Sequence, residues 1–202
     1  MRIPVLISRL CFFFFGVKLQ LRGAENLDQK KQYIFIANHS SNLDPLIPGA
    51  CSSNYFKYIG KAEVLKIPIV GFVLKNLNFP VKREDKIARM KVMDLMRLAI
   101  EDGAGIFFFP EGTRNKTPKT LLPFHDGAFK LSIEKQIPLV VLTIINGWEI
   151  CPPNKWLLKP GKLHCVWSHP ISPAPFTLEN LSAFKEHTRK LMMTEIENFY
   201  SH

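Results

Sequence analysis

The chain has 202 residues, which is long enough for one domain with a real hydrophobic core. Apolar residues make up 47% of it and charged residues 22%, and this composition excludes an intrinsically disordered chain. The formal net charge of +10 attracts polyanions. Because the sequence has no recognisable nucleic-acid-binding motif and no run of five basic residues, anionic lipid or a phosphorylated substrate is a better candidate partner than nucleic acid.

The first predicted element is an apolar segment, residues 3–17, which is interrupted only by Ser8 and Arg9. As a helix it would be about 22 Å long, at ~1.5 Å per residue. That is shorter than the ~30 Å hydrocarbon core of a bilayer, and Arg9 would lie in its middle. The segment therefore predicts an amphipathic helix in the membrane interface, with phenylalanines in the lipid. A signal peptide or a buried helix is the alternative, although no small-residue cleavage site follows.

Short apolar, β-branched and aromatic runs predict a series of strands after residue 24. These runs are Tyr33–Asn38, Tyr55–Ile59, Phe79–Val81, Ile106–Phe109 and Leu139–Ile145. Leu163–Ser168 alternates between apolar and polar residues, and this pattern predicts an edge strand.

Helical periodicity is clearest over residues 86–101, where Leu95 and Leu98 are predicted to share the packing face. Gly103 is a plausible stop for this helix. A last helix is predicted with Thr177 as its N-cap.

Strands interleaved with helices indicate an α/β fold, in which a mixed sheet is flanked by helices and active-site loops follow the strand ends. The N-terminus adds an amphipathic helical segment. The predicted organisation is a membrane-associating segment, residues 1–24, followed by an α/β domain, residues 25–202.

The cysteines of the chain lie far apart in sequence and form no CxxC pair; they are Cys11, Cys51, Cys151 and Cys165. This spacing predicts reduced thiols in a protein that faces the cytosol. His164, Cys165 and His169 are close in sequence but lack the rest of a zinc set, so no metal site is predicted.

Two polar segments directly follow predicted buried strands, and the first is Asn38–Asp44. His39 and Asp44 are five residues apart, so they would diverge on a helix but can meet across a turn. A carboxylate on one imidazole nitrogen fixes the tautomer and makes the other nitrogen a better base. That base could take a proton from a substrate hydroxyl. Asp44 before Pro45 is also explained as a helix N-cap.

The second polar segment is Phe109–Arg114, with the sequence FPEGTR, and its residues suit an anion. Gly112 permits close approach of the backbone, whose N–H groups could face the anion. Arg114 offers the planar fork that matches phosphate. Glu111 could accept hydrogen bonds from glycerol hydroxyls or hold Arg114 in place. Taken alone, the segment is better explained as a surface turn that carries an exposed ion pair.

Together the two segments resemble the glycerolipid acyltransferase family, whose marks are an N-H-x4-D block and an F-P-E-G-T-R block at similar separation. The resemblance runs in order from about Tyr33 to Asn146. Three further stretches carry it: Gly60–Glu63 between the blocks, Phe79–Arg83 as the arginine-containing second block, and Ile137–Val141 as the apolar fourth block.

This resemblance implies transfer of a fatty acyl group from a thioester, acyl-CoA or acyl carrier protein, to the sn-2 hydroxyl of 1-acyl-glycerol-3-phosphate. The product would be phosphatidic acid, and no bound cofactor or metal is implied. By resemblance, His39 is the general base and Asp44 orients it. The implied substrate-binding residues are Glu111, Gly112, Thr113, Arg114, Arg83 and Lys61, with the arginines and the lysine on the acceptor phosphate.

The resemblance also implies a membrane-associated protein on the cytoplasmic face, with a lipid surface, a lysophospholipid acceptor and a thioester donor as partners. The motifs leave the acceptor open, since glycerol-3-phosphate or another lysophospholipid fits them as well. A non-catalytic basic membrane-binding protein and a thioester hydrolase are the further alternatives.

Overall fold

A computed structural model describes residues 2–52, 54–61, 78–81, 86–117, 120–155 and 157–201. Its described strands form one seven-stranded sheet in the order β1-β7-β6-β2-β5-β3-β4. The strands are β1 (Val17–Arg22), β2 (Ile34–Ala37), β3 (Phe56–Lys61), β4 (Asn78–Val81), β5 (Gly105–Phe108), β6 (Leu139–Ile144) and β7 (Gly161–Trp167). The described helices are α1 (Arg2–Phe14), α2 (Ile47–Cys51), α3 (Lys86–Glu101), α4 (Gly127–Lys135), α5 (Gly147–Ile150) and α6 (Leu181–Tyr200).

The sheet is mixed, because β6 and β7 are antiparallel whereas the other neighbouring strands are parallel. The central strands β2, β5 and β6 are buried along their whole length, as expected for parallel strands covered on both faces. Phe35 packs with α1 and α2 on one face, while Ile34 and Ile36 pack with α3, α4 and α6 on the other. The predicted α/β fold with a mixed sheet and flanking helices is confirmed.

The predicted edge strand is wrong in its position. Strand β7 lies between β1 and β6, and β1 is the edge. Leu163, Cys165 and Trp167 pack in the core, whereas the residues between them are half exposed. The alternation that suggested an edge therefore reflects burial on one face of the sheet, which an inner strand also shows.

Helix α3 has the predicted bounds, and Gly103 follows it with a φ of +84°. The N–H of Ala104 then bonds to the carbonyl of Ala99 at 2.9 Å, which closes the helix end as predicted. Leu95 and Leu98 were assigned to the packing face, but they are 47% and 57% exposed. The buried stripe of the described helix is narrower than the apolar pattern suggests.

Helix α6 begins at Leu181, so the prediction that Thr177 caps it is wrong. The hydroxyl of Thr177 accepts a hydrogen bond from the N–H of Asn180 at 3.4 Å and stays outside the helix. The buried stripe of α6 recurs every three or four residues and consists of Leu181, Phe184, Thr188, Met192 and Ile196.

Helix α1 covers part of the predicted membrane-associating segment, and Val17–Arg22 of the same segment belong to the sheet as β1. Ser8 and Phe12 of α1 are buried, whereas its exposed side is apolar apart from Arg9. The exposed apolar side chains are Leu6, Leu10, Phe13 and Phe14. No helix in the described part of the chain is long and apolar enough to cross a membrane. The interfacial role of α1 and the division at residue 24 stay predictions.

Candidate active site

The two polar segments leave the sheet side by side at the carboxyl ends of its parallel strands, because they follow β2 and β5, which are parallel neighbours. The side chain of Asn38 fixes the end of β2. Its Nδ2 donates to the carbonyl of Ile144 and its Oδ1 accepts from the N–H of the same residue, both at 2.8 Å. The amide thus substitutes for a peptide group and extends the β2–β6 ladder by one step, just before His39.

His39 and Asp44 meet across the turn, as the sequence predicted. Nδ1 of His39 lies 2.6 Å from Oδ2 of Asp44, which also accepts the N–H of Ser41 at 2.7 Å. The side chain of His39 is 10% exposed and that of Asp44 is fully buried. The imidazole stacks on the ring of Phe109, with centroids 4.2 Å apart. Since Nδ1 faces the carboxylate, Nε2 is the nitrogen that can act as a base.

The alternative role of Asp44 as a helix cap is wrong. Helix α2 begins at Ile47, with Leu46 at the N-cap position and no side-chain cap. Turns occupy residues 42–46, and the carboxylate of Asp44 bonds to His39 and Ser41 and not to the helix.

Glu111 joins the two polar segments through the backbone. Its Oε1 accepts the N–H of His39 at 2.7 Å and its Oε2 accepts the N–H of Leu122 at 2.8 Å. The carbonyl of His39 in turn accepts the N–H of Asn115, also at 2.7 Å. The sequence suggested glycerol hydroxyls or Arg114 as partners of Glu111. In the structure its carboxylate holds the turn that contains His39 and Asp44 in place.

Burial raises the pKa of Glu111 to about 7, against the opposing effect of its two backbone hydrogen bonds; the nearby Asp44 raises it further. The folded protein therefore binds more protons at Glu111 than the unfolded chain between pH 4.5, the ordinary value, and pH 7. The contribution of this group to stability is present below that window and is lost as the pH rises through it. The contribution of Glu111 to the free energy of unfolding differs by roughly 3 kcal/mol between the low-pH and the high-pH side of this window.

We expect the Glu111→Gln variant to lose this pH dependence, because an amide does not titrate. Thermal melts from pH 4.5 to pH 8 should show the wild-type melting temperature falling by several degrees relative to the variant as the pH rises. Glu179→Gln, at an exposed position, is the matched control and should run parallel to the wild type. If the melting temperatures of Glu111→Gln and wild type changed with pH in parallel, the raised pKa of Glu111 would be refuted.

Gly112 lies in a tight turn with a φ of +69°, which favours glycine. A Cβ at this position would be 2.6 Å from Cδ2 of His125, so the imidazole ring packs directly on the glycine. The N–H of Gly112 donates to the carbonyl of Phe109 at 3.0 Å, within the turn itself. The adjacent Thr113 is exposed.

Arg114 is half-buried and its Nη1 donates to Oδ1 of Asn42, which brings it to the turn that contains His39 and Asp44. The sequence pattern predicts no role for Asn42. Its side-chain Nδ2 also donates to the carbonyls of Pro152 and Lys155, at 2.9 Å and 3.1 Å. Asn42 therefore links the arginine to a distant loop. Its place inside a polar turn was the only signal that could have identified it.

Lys61 is the last residue of β3, which is parallel to β5. Its backbone therefore lies at the carboxyl ends of the strands, as the two polar segments do. Its side chain lies outside the described part of the structure, as does Arg83. Their predicted roles on the acceptor phosphate stay predictions. In the described ranges, no group of three or more His, Cys, Asp or Glu residues could hold a metal ion.

The arrangement combines a group that can act as a general base with a group that can bind an anion. An imidazole is held by a buried carboxylate on one side, and a half-buried guanidinium is anchored to the same turn. Such a site can take a proton from a hydroxyl while it binds a nearby phosphate.

Comparison with known proteins gives one consistent set of matches. A profile of the family described as Acyltransferase matches residues 18–145. The chain is 30% identical over 157 residues to a chloroplastic 1-acyl-sn-glycerol-3-phosphate acyltransferase of Brassica napus, covering 76% of this chain and 45% of that protein. It is 29% identical over 203 residues to the 1-acyl-sn-glycerol-3-phosphate acyltransferase of Saccharomyces cerevisiae, covering 95% of this chain and 65% of that protein. The chain thus spans between about half and two thirds of the length of these curated relatives.

A solved structure has the same fold. It is the 1-acyl-sn-glycerophosphate acyltransferase of Thermotoga maritima, with a TM-score of 0.83 and 21% sequence identity. The match covers 98% of this chain and 79% of that one.

Proposed function

Because the chain belongs to the acyltransferase family, we propose that it transfers a fatty acyl group from a thioester donor to the sn-2 hydroxyl of 1-acyl-glycerol-3-phosphate. The observation that carries this proposal is the contact of 2.6 Å between Nδ1 of His39 and the buried carboxylate of Asp44, next to the anchored Arg114. The names of the relatives in Brassica and yeast support this acceptor. The product is phosphatidic acid.

In the proposed reaction His39 acts as a general base through Nε2. It takes the proton of the acceptor hydroxyl as the oxygen attacks the carbonyl carbon of the thioester. Asp44 stabilises the imidazolium that forms. The tetrahedral intermediate then collapses, the carbon–sulfur bond breaks, and the thiolate leaves and receives the proton. Neither a serine nor a cysteine nucleophile of the enzyme is required.

Arg114 binds the phosphate of the acceptor in this proposal. One of its Nη atoms is held by Asn42, and the other donors of the planar guanidinium can reach an anion. Lys61 and Arg83 are further candidates for the same phosphate. Glu111 contributes by fixing the backbone of His39, since it accepts that N–H at 2.7 Å.

The proposal also places the protein at the cytoplasmic face of a membrane, where lysophosphatidic acid and cytosolic thioester donors meet. It is supported by the exposed apolar side of α1 and by Arg9, whose exposed side chain donates to the carbonyl of Ala50 at 3.3 Å. Such a helix can lie in the interface with its basic residues near lipid phosphates.

We expect the purified protein in detergent micelles to form phosphatidic acid from lysophosphatidic acid with acyl-CoA or with acyl carrier protein as donor. Glycerol-3-phosphate and lysophosphatidylcholine, supplied in parallel, should react far more slowly. Arg114→Lys should raise the KM for lysophosphatidic acid by about tenfold with a smaller change in kcat, because an ammonium cannot reproduce the bidentate fork.

Arg97→Lys on α3 is the matched control for this experiment, since Arg97 pairs with Asp94 and Glu134 away from the site. An unchanged KM in Arg114→Lys would remove that residue from the phosphate site. Preferred use of another acceptor would overturn the proposed specificity, and release of free fatty acid alone would indicate a hydrolase.

A further inference from the structure

The acidic residues of the chain are unevenly distributed. The two longest stretches without Asp or Glu are residues 1–24 and 150–178. The basic residues of the first stretch are Arg2, Arg9, Lys18 and Arg22, and those of the second, histidines aside, are Lys155, Lys159 and Lys162. A surface built from both stretches would have a local positive charge with no acid from either of them to offset it.

The fold brings these two stretches together. Strands β1 and β7 pair in parallel, and Lys18 lies beside Lys162 in their register. At the start of this pairing the N–H of Gly161 donates to the carbonyl of Gly16 at 3.0 Å. A Cβ on Gly16 would be 3.0 Å from Cβ of Pro160. The end of α1 is therefore in direct contact with the chain that precedes β7.

The chain before β7, residues 147–160, presents both apolar and basic side chains to solvent in its described parts, 147–155 and 157–160. Trp148 is 37% exposed and Leu157 is 46% exposed, while Lys155 and Lys159 are also exposed. The acid within this 147–160 segment is Glu149, whose Oε1 accepts the hydroxyl of Tyr200 at 2.5 Å. Aromatic and aliphatic side chains next to lysines suit a bilayer interface with anionic headgroups.

The 147–160 segment also holds the turn of residues 39–44, which is the catalytic turn of the proposed function. The carbonyl of Cys151 accepts the hydroxyl of Ser41 at 2.8 Å and the N–H of Asn42 at 3.1 Å. The side chain of Asn42 then reaches the carbonyls of Pro152 and Lys155. A surface that contacts lipid through this segment would lie directly beside His39 and Asp44.

We propose that the 147–160 segment is a second lipid-binding surface, continuous with the exposed side of α1, and that its partner is a bilayer containing anionic lipid. The segment keeps the catalytic turn at the membrane surface, where a lysophospholipid acceptor resides; this purpose rests on the proposed function. A bilayer is favoured over an acidic protein because Trp148 and Leu157 add to the apolar side chains that α1 exposes, among them Phe13 and Phe14, and a lipid phase can take up both sets at once.

Flotation of the whole protein with vesicles tests the charge contribution. The probes are vesicles of phosphatidylcholine alone and of phosphatidylcholine with 30 mol% phosphatidylglycerol, a ratio chosen to be about that of a strongly anionic leaflet. The Lys155→Glu/Lys159→Glu double variant should bind the anionic vesicles at least about tenfold more weakly than wild type, since each lysine near such a surface contributes about fivefold. Lys91→Glu/Lys190→Glu makes the same charge change on α3 and α6, on the other face of the sheet, and should bind within about twofold of wild type.

Equal losses in the two double variants would mean that overall charge alone drives binding, and no loss in either would mean that the segment does not touch lipid. Either result overturns the proposal. Because flotation needs no turnover, an inactive wild-type protein in the micelle assay would refute the proposed function but would leave the result on lipid binding by the 147–160 segment unaffected.

Fluorescence quenching provides a second test that does not depend on charge reversal. In a Trp156→Phe variant the remaining tryptophans are Trp148 and the buried Trp167. Vesicles made with brominated acyl chains should quench this variant, and the Trp148→Phe/Trp156→Phe protein should be quenched little. Equal quenching of the two proteins would show that Trp148 stays outside the bilayer and would overturn the proposal.

Discussion

Replacing His39 with alanine should lower kcat for phosphatidic acid formation by about 10²- to 10⁴-fold, the usual contribution of a general base. Nδ1 of the imidazole is held by Asp44, and in the proposed reaction Nε2 takes the proton of the acceptor. Alanine also removes the partner of a fully buried carboxylate and the ring that stacks on Phe109, so the variant should be less stable than the wild type.

His39→Asn separates the chemical effect from the structural one. The amide nitrogen of asparagine can donate to Oδ2 of Asp44 in place of Nδ1, but it cannot accept a proton at neutral pH. We expect His39→Asn to melt closer to the wild type than His39→Ala does and to be equally inactive. Circular dichroism melts and single-turnover assays on both proteins measure the two effects. More than a tenth of the wild-type rate in folded His39→Asn would rule out His39 as the base.

Asp44→Asn is the second substitution with a large expected effect, about 10²- to 10⁴-fold in kcat. If its amide oxygen takes the place of Oδ2, the hydrogen bonds from His39 and Ser41 survive but the negative charge that stabilises imidazolium is lost. If its amide nitrogen faces His39 instead, the imidazole is forced into the wrong tautomer.

Oδ1 of Asp44 is buried and has no hydrogen-bond partner within the described residues, so either orientation of the amide leaves one of its atoms unpaired at a position where the carboxylate oxygen is already unpaired. The pH profile of kcat/KM is the informative measurement, because a general base must be unprotonated to act and loss of the carboxylate should therefore shift the acidic limb of the profile to lower pH. An unshifted profile with near-normal kcat would mean that Asp44 only supports the fold. Asp126→Asn, at a surface ion pair with Lys185, is the matched control.

Much of the sheet could be predicted from the sequence because its central strands are buried on both faces. Strands β2, β5 and β6 are short apolar runs for which neighbouring polar turns mark the ends. Helix α3 could be predicted to the residue since its apolar period and the following Gly103 are local signals. The same sequence could not show that Leu95 and Leu98 face solvent, because that depends on how wide a stripe the sheet covers.

The site was predictable in its residues but not in its contacts. His39 and Asp44 carry a local signal, yet the helix-cap role of Asp44 was an equally valid local explanation until the position of α2 decided against it. The partners of Glu111 come from residues distant in sequence, the N–H groups of His39 and Leu122. Asn42 acts through a loop more than a hundred residues away, and no local pattern reports such a contact.

Strand β1 had no local signal either, since its pairing with β7 joins residues that are far apart in the sequence. This pairing has a consequence for production of the protein in soluble form. Removing residues 1–24 as if they were a detachable anchor would expose the N–H and C=O groups of β7 from Gly161 to Val166, and open strand edges of this kind promote aggregation. Polar replacements at Phe13 and Phe14 would reduce the exposed apolar surface and would leave the edge of β7 paired with β1.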